Sequence, residues 1–186
     1  DIGAHRVPVF PFIRGIDERN RNAAKRRLEA YFHSREFVLQ ADILRMQRRG
    51  PAAFQAYSKA LQLNPEDLTA AFFVRQYGEQ IAHQYQRHLH TRPKDAEARW
   101  KLGNLYAQIG RMDQAQKAFE KTVELTPDFL KAYLSLSYLY AQKGQPDRAL
   151  SVYRRAEEIA PDTPPAKASM KSAYEKIHRL ITAQKP

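Results

Sequence analysis

The chain has 186 residues, of which 43% are hydrophobic, and 31 Lys and Arg against 20 Asp and Glu give a net charge of +11. That is enough apolar material for one buried core, so wholesale disorder is excluded. The lack of Cys removes disulfides, thiolate metal sites and Cys nucleophiles together. No apolar run approaches the roughly 18 residues of a membrane span.

Residues 1–16 open the chain as an apolar, Pro-broken stretch around Val7-Pro-Val-Phe-Pro-Phe-Ile13. It reads as an extended arm or linker. Leaving Val7, Val9, Phe10, Phe12 and Ile13 in water would expose a patch typical of interaction sites. The arm is therefore expected to dock on helical surface of its own chain or of a second copy, which would give a homodimer. The start lacks Met, as a piece of a longer protein would.

Residues 17–33 read as an N-terminal helix carrying Arg19, Arg21, Lys25, Arg26 and Arg27. Residues 1–60 carry +6 and 164–186 carry +4, whereas 61–95 are neutral and 96–163 carry +1. The basic helix is a solvated face, or it contacts an acidic partner or an anionic membrane surface. A nucleic-acid binder would show its basic stripe along the main face, so no nucleic acid is expected.

Residues 34–67 hold Phe37, Ala41, Leu44, Ala53, Tyr57 and Pro65 at helical spacing. The next segment, 68–95, is irregular. Helices over 66–77 and 79–91 joined at Gly78 form a shortened hairpin, the favoured reading. The stripe Ala70, Val74, Tyr77, Ile81, Tyr85 and Leu89 would also suit one helix of about 25 residues, because an interior Gly costs only about 1 kcal/mol relative to Ala.

Residues 96–163 repeat themselves. At an offset of 34, Leu102 falls on Leu136, Tyr106 on Tyr140, Gly110 on Gly144, Ala115 on Ala149, Phe119 on Tyr153 and Pro127 on Pro161. A period of about 34 residues signals a helix–turn–helix solenoid. The glycines sit where each pair must turn, and the prolines stop each second helix. Antiparallel pairs are expected at 96–125 and 130–159. Residues 164–186 read as a capping helix and tail, with Met170 and Tyr174 turned inward to shield the last apolar surface.

The runs Leu102-Gly103-x2-Tyr106, Ala115-x3-Phe119, Pro127 and Leu136-Ser137-x2-Tyr140, Ala149-x3-Tyr153, Pro161 resemble tetratricopeptide repeats at 96–129 and 130–163. A weaker copy, in which Gln40 replaces the usual Leu, covers 34–67. The resemblance implies an all-α fold, a right-handed superhelix of antiparallel helix pairs with a C-terminal capping helix. It also implies a concave groove lined from the first helix of each pair. Matched position by position, that groove takes Arg35, Val38, Phe72, Trp100, Asn104, Lys131, Leu134 and Tyr138. Some relatives grip a C-terminal carboxylate with a Lys/Asn/Arg clamp. Here Trp100, Ser135, Pro165 and Ser169 stand where the clamp residues belong, so chaperone-tail binding is not expected.

The chain lacks a phosphate loop, a His-Glu-x-x-His motif and a nucleophile elbow. His83, His88 and His90 do not share one helix face at metal-ligand spacing. Neither catalysis nor a metal or cofactor is expected. The sequence points to a scaffold that binds a segment of a partner protein, or alternatively to an oligomerisation or substrate-positioning module of a larger enzyme or membrane protein. Its expected location is the cytoplasm, or the soluble part of a membrane-associated protein.

Overall fold

The computed structural model describes residues 18–183. The arm at 7–13 lies outside the described residues. Among these there are eight helices and no strand, and the fold is all-α. The chain divides into two units, residues 1–72 and 73–186.

In the first unit, α1 (Glu18–Met46) pairs with α2 (Gly50–Leu63). No Gly or Pro interrupts residues 18–46, so the helix expected at 17–33 runs unbroken into the first helix of the 34–67 repeat. Val38, Ala41, Ala53, Tyr57 and Ala60 are buried between the pair. Ser34 donates its hydroxyl to the Ala60 carbonyl at 3.0 Å. Tyr57, fully buried, donates to the Asp42 carboxylate at 2.6 Å. Burial and that bond raise the Tyr57 phenol to about 12.

Helix α3 (Leu68–Thr91) contains the boundary between the units. Asp67 caps it by accepting from the Ala70 N–H at 2.9 Å. The favoured hairpin at Gly78 does not form. Ala70, Val74, Gly78 and Ala82 are buried at four-residue spacing along one continuous helix. Gly78 therefore occupies the apolar stripe, and no positive φ marks a turn there. Keeping every i→i−4 bond outweighs the modest propensity penalty of one glycine.

The second unit continues with α4 (Ala96–Gln108), α5 (Met112–Leu125), α6 (Leu130–Gln142), α7 (Pro146–Ile159) and α8 (Pro164–Ala183). α4 packs on α5 and α6 on α7; α5 also meets α6, and α8 rests on α6 and α7. Gly103 permits the closest approach: a Cβ there would lie 2.5 Å from Phe119 Cε1. Both intra-pair turns close alike. Gly110 has φ +79°, with Arg111 N–H donating to the Tyr106 carbonyl at 2.8 Å and Gly110 N–H to Ala107 at 3.1 Å. Gly144 has φ +70°, with Gln145 bonded to Tyr140 at 2.9 Å and Gly144 to Ala141 at 3.1 Å. These are Schellman closures, which require a left-handed residue.

Met170 and Ile177 bury the inner face of α8, and Tyr153 donates to the Met170 carbonyl at 3.2 Å. Tyr174, expected inward beside Met170, is instead about half exposed, its ring 5.7 Å from that of Tyr153. The buried position one turn further on is taken by Ile177.

Candidate functional site

The second unit contains an open groove of about 1030 Å³ between the first-helix faces of α6 and α8, with Trp100 of α4 at its edge. Three sequence features build it. α6 carries Lys131, Leu134, Ser135 and Tyr138 at helical spacing on one face. The turn before α6 contributes Phe129. α8 contributes Ala166, Ser169 and Ala173, three small residues at spacings of three and four, so its backbone forms a low wall. Pro161 and Pro165 floor the end where α7 gives way to α8.

Trp100 is half-buried and pinned from three sides. Its indole N–H donates to Ser135 Oγ at 2.9 Å. Its ring centroid lies 6.0 Å from that of Phe129. The Lys131 ammonium sits 5.1 Å above the indole face, a cation–π contact worth about 0.5–1 kcal/mol at a site this open. Ser135 in turn donates to Asn104 Oδ1 at 3.4 Å. Ser135 thus holds the indole, and Asn104 holds Ser135. Lys131 also lies 3.9 Å from Glu97, which partly neutralises it. Lys176, at the α8 end, makes no ion pair among the described residues.

The N-terminus of α4 is fixed by Asp95, whose carboxylate accepts from the Ala98 N–H at 2.9 Å and meets His88 Nε2 at 2.7 Å. The backbone bond first, and His88 second, hold the Asp95 carboxyl below its ordinary value. His83 bonds to Gln86 at 3.1 Å, so two of the three histidines have local structural partners. Gln86 donates to Tyr106 at 2.6 Å, tying the second half of α3 to α4.

Of the residues expected in one groove, Trp100, Lys131, Leu134 and Tyr138 line this one, and Asn104 lies behind it through Ser135. Arg35, Val38 and Phe72 belong to the first unit and do not line it. Val38 is only 4% exposed; it faces the α1–α2 core, so its assignment to a groove is corrected. Arg35 and Phe72 are exposed. Sequence matching missed Phe129 and the small-residue wall of α8. The spacing of Ala166, Ser169 and Ala173 is a usable signal, but the stripe adjoins that of Met170 and Ile177 on α8 and is masked by their larger side chains.

The family model described as tetratricopeptide repeat matches residues 82–115 and 101–164. Residues 82–164 are tetratricopeptide repeats. The pair α4–α5 and the pair α6–α7 are thus the two complete repeats within the match. Among solved structures, the chain is similar to the crystal structure of MamA at 21% identity, over 81% of this chain and 85% of that one, with a TM-score of 0.46. It is also similar to YrrB, titled a tetratricopeptide-repeat protein with an unusual peptide-binding site, at 19% identity over 77% and 80%, TM-score 0.43. A thermophilic tetratricopeptide-repeat protein of Thermus thermophilus is similar at 17% identity over 82% and 92%, TM-score 0.44. No curated protein sequence matches the chain. No described helix is long and apolar enough to cross a membrane.

Proposed function

We propose that the second unit is a protein-interaction module that seats a segment of a partner protein in the groove of α4, α6 and α8. The observation that carries this reading is the open groove itself: Leu134 and Tyr138 face it with Trp100 and Phe129 beside them, opposite a wall of small residues. Aromatic side chains in a concavity supply large contact area at little entropy cost, and small residues opposite them allow a backbone to come close. The segment that fits is an apolar one, extended or helical, with an acidic group to meet Lys176. The residues that stand in for the clamp leave no trio of donors for a terminal carboxylate.

Trp100 serves the scaffold as well as the surface, because its indole N–H is already bonded and its ring joins α4 to α6. Tyr138 is the sharper probe, being 37% exposed. The experiment is selection of peptides on the intact chain from a random library, followed by affinity measurement against variants. Tyr138→Ala and Leu134→Ala should each weaken the selected peptide by about 1–2 kcal/mol and leave the thermal midpoint nearly unchanged. Peptides that bind both variants as well as the parent would defeat the proposal.

A further inference from the structure

The groove of α6 and α8 holds hydrogen-bonding capacity that narrows what can fill it. The hydroxyls of Tyr138, Ser169 and Ser172 line it, and none of the three forms a hydrogen bond among the described residues. Each can donate to a carbonyl of an occupant. A helical occupant keeps its carbonyls bonded within itself except over its last turn. A polyproline II occupant has no internal hydrogen bonds, so every carbonyl is open to a donor beside it. Proline also lacks an N–H, so each one removes a donor that the groove would otherwise have to satisfy. Grooves lined by aromatic side chains, as this one is by Trp100, Phe129 and Tyr138, accept such segments. The fitting occupant is apolar, extended and proline-bearing.

The chain itself carries such a stretch. Residues 7–13, which precede the described residues, read Val-Pro-Val-Phe-Pro-Phe-Ile. Pro8 and Pro11 are separated by one polyproline II turn and so share an edge of that helix. Residues 8–12 cover about 15 Å at 3.1 Å each. The α8 wall from Ala166 to Lys176 runs about 15 Å at 1.5 Å per residue. Asp128, at the end of the groove where α6 begins, is exposed and forms no ion pair among the described residues. With Arg6 at that end, Asp17 follows the segment on the Lys176 side. The stretch leads into the first unit and the groove lies in the second, so every copy of the chain offers one of each. Exchange between copies uses both at little cost.

We infer that residues 8–12 of one copy of the chain occupy the α6–α8 groove of another, with their carbonyls accepting hydrogen bonds from Tyr138, Ser169 and Ser172. The inference rests on the groove being a peptide site and names its occupant as the apolar arm of a second copy.

The test is sedimentation of the full chain over a range of concentrations. The parent should self-associate. Phe10→Ser with Phe12→Ser should make it monomeric, and so should Leu134→Ala with Tyr138→Ala. Mixing these two variants should restore association, because one brings an intact groove and the other an intact arm. An excess of a synthetic peptide of residues 6–14 should dissociate the parent, a result that depends on no variant folding. The same peptide should shift Trp100 emission in the Phe10 and Phe12 variant, and should bind about tenfold more weakly once Tyr138→Ala is added. A parent that stays monomeric would overturn the inference. So would an assembly that survives both the peptide and the Phe10 and Phe12 changes, because its contact would lie elsewhere, as on the exposed Leu39 and Ile43 of α1. A monomer whose groove admits the peptide only after the arm is changed would overturn it too, by placing the arm on its own chain. In each of these cases a library-selected peptide that depends on Tyr138 would still uphold the groove, so the two readings fail separately.

Discussion

The helix pair α1–α2 and the pair α4–α5 are built on one pattern, yet they finish differently. At the same three repeat positions α1–α2 has Ala41, Arg48 and Tyr57, and α4–α5 has Gly103, Gly110 and Phe119. The turn after α1 is closed by the same Schellman bonds, Arg49 N–H to Leu44 and Arg48 N–H to Arg45, both 2.9 Å. There the left-handed residue is Arg48, at φ +58°. A Cβ in that region costs about 1–2 kcal/mol, which the glycines avoid. The comparison teaches that the tertiary arrangement enforces the turn even where local sequence opposes it. Both pairs bury their interiors, with Tyr57 and Phe119 alike almost wholly covered, but α1 also leaves large apolar side chains such as Phe32, Leu39 and Ile43 exposed.

The largest expected effect is at the tightest contact. Gly103→Leu should destabilise the chain by about 3 kcal/mol or more, because its Cβ alone already overlaps the Phe119 ring. The equivalent residue in α1, Ala41, already carries a Cβ, so Ala41→Gly should cost only about 1 kcal/mol through helix propensity and lost contact. Equal losses in urea denaturation would break the distinction between the two interiors.

Next is the buried phenol of α2. Its pKa is raised from 10.0 to about 12, first by burial and then by the bond to Asp42. The neutral form is the one the fold prefers. Its contribution is therefore complete below pH 10 and lost as pH rises through about 12. Tyr140 and Tyr153 in the second unit are also raised, mainly by burial, so alkaline unfolding draws on both units. Tyr57→Phe isolates the first: it should cost about 1.5 kcal/mol at neutral pH and flatten part of the alkaline loss. An unchanged alkaline profile would separate Tyr57 from that transition.

The smallest effect has the opposite sign. Arg48→Gly should stabilise the first unit by about 1 kcal/mol by relieving the left-handed arginine. Gly110→Arg, at φ +79° with open space around its Cβ, should lose a similar amount. Opposite shifts of the thermal midpoint are the expected result.

Much of this arrangement was legible in the sequence because side-chain size and chain reversal leave local marks. The match at an offset of 34 residues located α4 through α7, and Gly110 and Gly144 marked their turns. Gly78 misled because a glycine marks a turn only when the chain needs positive φ, and there it fills a buried stripe. Val38 misled because position matching assumes that every repeat presents the same face. Phe129 escaped notice because it projects from the turn before α6, outside the helical periodicity. The α8 wall was hidden for a different reason: small residues contribute by what they leave open.

The sole tryptophan offers the most direct test of the central claim, that a partner segment seats between α6 and α8. Trp100 stands at the edge of that groove with part of its ring exposed. Titration of the intact chain with a library-selected peptide, followed by Trp100 emission, should give a saturating shift whose midpoint matches the independently measured affinity. The same titration on Tyr138→Ala should move the midpoint to higher concentration by about tenfold. A peptide that binds tightly while Trp100 emission stays constant, and whose affinity ignores Tyr138, would contradict the account and place binding elsewhere on the chain.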